Sequence, residues 1–375
     1  MKTMELKIKV KTPLHIGDHD SRKWSAFSDY IAKDGKIQFV DARRLNNLLA
    51  GDDKLMDAYL QMIRRGQGRG SREQSLGAFL SAQNIPAEEV ISTLSLQVSG
   101  IISGREIKPF IARNGKPFIP GSSLKGAIRS TMAYDYVQHH PESKRRILND
   151  ILKKNQKPDF RKFEQEIFGS SPHTDLLRFL HAGDSSDFDP DDRFVQTTWT
   201  YHIKKGVAEI PISKECLKPD AEAFFRIKKL ALNSKVHEGG FRTRFEKLNG
   251  KEDLFHIVNA FALRFAEREI EELNGKPGLE KVVNFYQKLI SEITAENGKK
   301  AFLMLGAGTG IFTKTILLIF SSTEIERIRE SMKETKASRN FGWVKGKRSE
   351  LFPVTRHVYM SGDKVTGILG WVEIY

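Results

Sequence analysis

The chain has 375 residues, enough for two ordinary domains and a sizeable core without disulfides or structural metals. Lys and Arg total 61 against 47 Asp and Glu, and the formal net charge of +14 favours a polyanionic partner over a neutral metabolite. A single cysteine, Cys216, excludes an internal disulfide framework and a thiolate zinc cluster, and no stretch reaches the roughly 18 apolar residues of a membrane span.

Leu6, Ile8 and Val10 alternate with Lys7, Lys9 and Lys11, the period of an edge-compatible strand with one buried face, which Pro13 ends. A signal peptide would have an apolar block in this stretch, so a cytoplasmic protein that engages no membrane is expected. Residues 30–32 and 37–40 flank Asp34-Gly35 as a hairpin, and Asp41 can cap a helix through Leu45, Leu48 and Leu49. Helices are expected near 53–65 and 71–83, a strand at 93–101, and a second hairpin around Asn114-Gly115. Between the two helices, Arg64, Arg65, Arg69 and Arg72 stand among glycines with no acidic residue. That stretch reads either as a solvated linker or as a loop contacting single-stranded RNA.

A helix follows near 124–138, then charged helical segments over 141–168 and a strand at 177–181 leading to Asp184. The strand pattern returns at 194–203 and 209–212, followed by long helices near 253–273 and 279–296. A strand at 302–305, a glycine-rich turn, a helix near 323–335 and strands at 354–360 and 368–374 complete the chain. Strands with interspersed helices in two blocks predict an α+β protein whose two sheets are each covered by helices on one face. The blocks divide at 1–205 and 206–375.

The most informative segment runs from Phe118 to Arg129. Pro120-Gly121 forces a turn, Ser122 or Ser123 can cap a helix, and Leu124, Ile128, Met132 and Tyr136 make an apolar stripe. The helix start then offers amides to a phosphate beside Lys125 and Arg129, a like-charge pair that an anion would relieve. An ordinary capped helix with two surface cations is the other reading. Gly306, Gly308 and Gly310 precede Lys314 and permit close backbone approach to a sugar-phosphate chain, or else form a tight structural turn. Their spacing fits neither a P-loop nor a dinucleotide fingerprint.

The stretch 333–348 carries Lys333, Lys336, Arg339, Lys345, Lys347 and Arg348 with Phe341 and Trp343 interleaved. Cations on phosphates and rings on bases suit single-stranded RNA at about 1–3 kcal/mol per stacked base, whereas Trp343 can instead anchor the loop to the body. Asp184, Asp187, Asp189, Asp191 and Asp192 fail the calcium-loop template, since Asp192 and Thr198 stand where Gly and Glu are needed. They read as a solvated acidic loop, and no metal or cofactor is expected.

Taken together these segments resemble the RAMP superfamily of CRISPR-associated proteins and, within it, the fifth-subunit family of the type III-A Csm complex. Thr12-Pro13-Leu14-His15-Ile16-Gly17 is similar to the family's N-terminal motif, residues 119–129 to its Ile-Pro-Gly-Ser-Ser-Leu-Lys-Gly signature, and 305–314 to its C-terminal glycine-rich loop. Phe352-Pro353-Val354-Thr355-Arg356 and Gly370-Trp371-Val372 also fit, while Gly183-Asp184-Ser185 stands where members tend to have Ser-Asp-Ser. The resemblance implies two ferredoxin-like (RRM-like) modules with helical insertions and an RNA-binding, non-catalytic role at the 3′ end of the guide (crRNA). It also implies contact with the adjacent Csm backbone RAMP subunit, and recruitment of a host nuclease that trims guide 3′ ends.

RNA contacts are expected from His15, Ser122, Ser123, Lys125, Arg129, Gly306, Gly308, Gly310 and Lys314. Arg64, Arg65, Arg69, Lys345, Lys347 and Arg348 complete the set. Related guide-processing RAMP ribonucleases use histidine for general acid–base cleavage, which makes His15 the best catalytic candidate and a metal-independent endoribonuclease the alternative reading. A small-molecule nucleotide binder is the third.

Overall fold

The alternation at the N-terminus forms the strand Lys2–Val10, and that strand is the centre of a five-stranded sheet rather than an edge. Alternating lysines report which face meets water, and they leave both backbone edges free to pair. A computed structural model describes residues 2–18, 22–66, 74–102, 104, 106–153, 160–232, 240–296 and 298–375. The sheet order is Ala301–Met304, Trp371–Ile374, Lys2–Val10, Glu222–Lys229 and Leu180–Ala182, with every neighbouring pair antiparallel. Leu6 faces Phe225 and Ile8 lies between Ala223 and Ile374, all buried. Full burial of such a side chain contributes about 1.5–3 kcal/mol. The layer against this core is helical, built from Gly121–Gln138, Lys251–Leu273 and Glu280–Ala295.

The second sheet runs Trp24–Ser25, Glu106–Lys108, Val207–Leu217, Arg193–His202, Ile91–Ser99, Lys36–Val40 and Tyr30–Lys33. Thr355–Ser361 also pairs with Arg193–His202 and carries Lys364–Ile368 beside it. Asp34 and Gly35, with φ of 50° and 71°, make the expected hairpin turn, as Asn114 and Gly115 do with 51° and 76°. The Asp41 side chain accepts from the amides of Arg43 and Arg44 and starts Ala42–Ala50. That helix, Asp53–Gly66 and Leu76–Ala82 enclose a separate small core around Leu45, Leu49, Tyr59 and Phe79.

The fold is α+β, built on these two large sheets, and is compatible with two ferredoxin-like modules. The division at 205/206 lies in the turn joining the paired strands Arg193–His202 and Val207–Leu217, and each sheet draws strands from both sides of it. Over 177–181 the strand is shorter than expected. Asp175 accepts from the Leu177 amide and starts a 3-10 turn, Leu176–Phe179, leaving only Leu180–Ala182 paired.

Three distant stretches meet where the first strand ends. The Ala307 amide donates to the His15 carbonyl at 2.8 Å, the Leu305 amide to Gly370 at 2.7 Å, and the Gly370 amide to Pro13 at 3.0 Å. A Cβ on Gly306 would lie 2.0 Å from the His15 carbonyl oxygen, and one on Gly308 would lie 2.0 Å from that of Leu369. The close approach expected of these two glycines is therefore used by the protein's own backbone, whereas a Cβ on Gly310 meets nothing within 4 Å.

Gly308→Ala should accordingly lower unfolding free energy by about 1–3 kcal/mol. Gly310→Ala should shift it by less than about 0.5 kcal/mol. Urea melts at constant slope measure both, and coincident midpoints for the two variants would contradict the junction.

Candidate nucleic-acid interface

Helix Gly121–Gln138 begins two residues earlier than a cap at Ser122 requires. Its N-cap is Pro120, so Ser122 and Ser123 sit inside the first turn, and no side-chain cap bond forms from residue 120. Asp184 takes the capping part from outside, accepting from the Gly121 amide at 2.8 Å, while Ser185 accepts from the Ile119 amide at 2.9 Å. A carboxylate already occupies part of the positive helix end that was expected to receive a phosphate. Two other acids of that loop are also engaged, Asp187 by Arg113 at 2.8 Å and Asp189 by the Asp191 amide at 2.9 Å. Among the described residues no group of three or more His, Cys, Asp or Glu is arranged to hold a metal ion.

Arg129 is committed within the protein. Its guanidinium bonds to Glu164 at 3.1 Å and Asp175 at 2.8 Å and lies over the Phe168 ring, 4.3 Å from the centroid. Two carboxylates already satisfy its charge, so a phosphate would have to compete with them for the guanidinium. Lys125 is half-buried and has no ion-pair partner among the described residues; burial lowers its pKa, with the nearby Asp175 opposing and Arg129 adding to that shift. The helix body packs against Ile311–Lys314, bringing the signature segment beside the glycine-rich loop.

The basic hairpin behaves differently from its aromatic content. Trp343 is buried, its Nε1 donating to the Arg329 carbonyl at 2.7 Å, and Phe341 stacks on Phe352 at 5.8 Å. Both rings anchor the hairpin, so neither offers a face to a base, and Arg348 pairs with Glu326 at 2.8 Å. Lys345 and Lys347 stay exposed on the turn. Arg64 and Arg65 are exposed at the end of Asp53–Gly66, and Arg69 and Arg72 lie outside the described residues.

His15 is 5% exposed, with Nδ1 at 2.7 Å from the Glu215 carbonyl and the ring edge-on to Phe110. Burial pushes its pKa down to about 4, against the raising effect of that carbonyl and with the charges of Lys214 and Lys108 lowering it further. The imidazole is neutral at pH 7 and sits under the glycine-rich loop.

Sequence reasoning passed over two groups of residues. On the open face of the five-stranded sheet, Phe224 is 63% exposed, and Lys7 lies 5.8 Å from its ring and 5.6 Å from that of Tyr375. Much of the charge on this aromatic surface is paired, Lys7 with Glu222, Lys9 with Asp220 and Arg226 with Glu5. On the second sheet, Lys214 is buried at 5% exposure beside Lys108 and close to His357. Charged residues in a mixed strand read as solvent-facing, and no sequence signal separates the buried lysine from its neighbours.

Residues 7–313, well over half of the chain, match the sequence model of the RAMP superfamily. The CRISPR system Cms protein Csm5 of Methanocaldococcus jannaschii is 24% identical over 399 aligned residues, covering 99% of this chain and 88% of that protein. A protein of the same name from Streptococcus thermophilus is 25% identical over 242 residues, covering 60% of this chain and 64% of its own length. Among solved structures, a chain of the Csm–crRNA–target RNA ternary complex of a type III-A CRISPR-Cas system matches with a TM-score of 0.73 at 22% identity, over 100% of both chains. Csm5 of T. onnurineus matches with a TM-score of 0.66 at 22% identity, over 98% of this chain and 99% of that one. With the family's sequence pattern running from the first strand through the glycine-rich loop, and its fold recurring end to end, the chain belongs to the RAMP superfamily.

Proposed function

We propose that the chain is a non-catalytic crRNA-binding subunit of a type III-A (Csm) interference complex, located at the 3′ end of the guide. On this reading it works in the cytoplasm, packs against the adjacent backbone RAMP subunit and takes part in guide maturation and complex assembly. A host nuclease that trims guide 3′ ends would be recruited there. The observation that carries the reading is the end-to-end match of fold to a chain of an assembled Csm–crRNA–target RNA complex. The surplus of 14 positive charges supports a polyanionic partner. Lys125, Lys314, Lys345 and Lys347 are cations without a carboxylate partner among the described residues, which suits them to phosphates.

The non-catalytic part of the reading is supported by the state of His15. A general acid–base histidine needs a pKa near the working pH and reach to the scissile group, and this one is neutral, buried and bonded to a carbonyl. Sequencing the RNA that copurifies with the assembled complex, with and without the chain, tests the proposal. Altered guide 3′ ends on removal support it, and accumulation of unprocessed repeats would favour the endoribonuclease instead.

The purified chain should leave a repeat RNA intact in EDTA between pH 5 and 8, and cleavage abolished by His15→Ala would overturn the non-catalytic reading. His15 also sets a pH dependence of stability. Its folded pKa of about 4 lies below the usual 6.5, so the unfolded chain binds more protons between those values. Stability from this group is complete above pH 6.5 and is lost as pH falls through 4, a loss of about 3 kcal/mol. His15→Asn should remove that component, so the stability gap between parent and variant narrows towards acid in urea melts. Parallel pH profiles would count against a buried neutral imidazole.

A further inference from the structure

The second sheet has a face on which the fold leaves positive charge uncompensated. Lys214 on Val207–Leu217 lies across from Lys108 on one side and Gln196 on the other, and two positions along the same face come Thr198 and then Thr200, the latter paired with His357. The Lys214 ammonium is buried, and its bond is to a neutral group, the Thr198 hydroxyl at 2.8 Å. Exposed Lys314, at the end of the helix that follows Gly310, adds its charge to that of Lys214 at His357. Among the described residues no carboxylate pairs with Lys108, Lys214, Lys314 or His357. The acid on this face, Glu106, is taken by Lys23. Buried ammonium groups are ordinarily paired, so an ammonium held by one hydroxyl beside a second lysine calls for an anion.

A cavity of about 400 Å³ opens where His357 meets the loop. Gly308, Thr309 and Gly310 form one wall, Phe265 and Tyr286 supply aromatic surface, and the buried Glu269–Arg356 pair, bonded at 2.7 and 2.8 Å, supplies a rigid polar wall. Its volume and its mixture of rings with a few fixed polar groups suit one nucleotide. The open sheet face around Phe224 has rings as well, but three of its cations, Lys7, Lys9 and Arg226, are paired.

We propose that Lys108, Lys214, His357 and Lys314 form a phosphate track along this face that leads one unpaired ribonucleotide into the cavity beside residues 308–310. The site deepens the guide-RNA reading and rests on it. Burial pushes the Lys214 pKa down to about 8, and the His357 pKa is lowered by enclosure and then by Lys214 and Lys314, shifts that a bound phosphate opposes. The cavity accepts ribonucleotide chemistry from two sources, an RNA strand or a free nucleotide, and the track favours the strand.

The test measures binding of the full chain to a labelled single-stranded RNA 12-mer across salt, with AMP as the free-nucleotide arm. Lys108→Gln with Lys314→Gln changes exposed side chains only. It should reduce the salt slope by about 1.4, or roughly 0.7 per lost contact, and weaken binding about 25-fold at 0.1 M salt. Gly310→Leu should fill the cavity and weaken RNA binding with an unchanged slope, since a Cβ there meets nothing and the charge is the same. Unchanged thermal melts show that each variant folds. If the parent binds RNA while both folded variants match it in affinity and slope, the track and cavity are wrong and the guide-RNA reading stands. AMP binding that Gly310→Leu abolishes, without competition by RNA, would overturn the track in favour of a free nucleotide. A parent that binds no RNA, in a complex whose guide ends are unchanged without it, defeats the underlying reading and the site with it.

Discussion

The carbonyl of His15 receiving the amide of Ala307 ties the first strand's exit to a loop almost 300 positions away, and the rest of the architecture depends on that closure. Lys2–Val10 is inserted between Glu222–Lys229 and Trp371–Ile374, so the first sheet exists only after most of the chain has been assembled around it. Such non-local pairing has to offset the entropy of closing long loops before its contacts contribute. Main-chain bonds at 2.7–3.0 Å among Pro13, His15, Leu305, Ala307 and Gly370 require backbone to lie against backbone. Glycine supplies that closeness, and any side chain at 306 or 308 would stand 2.0 Å from a carbonyl oxygen.

Because the junction consumes the loop's backbone, its chemistry towards a ligand has to come from what the junction leaves open. Gly310, Lys314 and the cavity wall remain available, while Gly306 and Gly308 serve the fold. The same sorting applies to the arginines. Arg129 and Arg348 are neutralised by Glu164, Asp175 and Glu326, so the net charge of +14 overstates what these two segments offer. Surface ion pairs contribute little stability, typically about 0–1 kcal/mol, so their main consequence is where they leave the electrostatic field unbalanced.

Local signals carried much of this fold. Period-two alternation found Lys2–Val10, the Asp-Gly and Asn-Gly pairs found their hairpins, and apolar periodicity found Lys251–Leu273 and Glu280–Ala295 within two residues. Pairing was not legible: nothing local to Lys7 and Lys9 distinguishes a central strand from an edge, because that depends on which backbone arrives alongside. For the candidate interface, the motifs singled out segments that the fold brings side by side, while the roles of individual atoms were not legible. Ser122 looked like a cap because the sequence cannot show Asp184 reaching the helix from 63 positions away. Trp343 and Phe341 left two readings open, and packing against Arg329 and Phe352 decided for the anchor.

Lys214 and Glu215 illustrate how a strand separates charge where composition sees cancellation. Adjacent side chains on Val207–Leu217 point to opposite faces. Glu215 meets Arg193 at 3.2 Å and the Phe110 amide at 2.7 Å, so its negative charge is satisfied on its own side of the sheet. Its carbonyl fixes His15, and burial raises the carboxyl's pKa while those partners oppose the shift. Lys214 has no counterpart to Arg193 on the other side and gains only the Thr198 hydroxyl. A Lys-Glu dipeptide that is neutral in sequence thus becomes a one-sided positive field in the fold. That field falls on the face where Lys108, His357 and the glycine-rich loop converge, with Lys214 itself the buried member of the group.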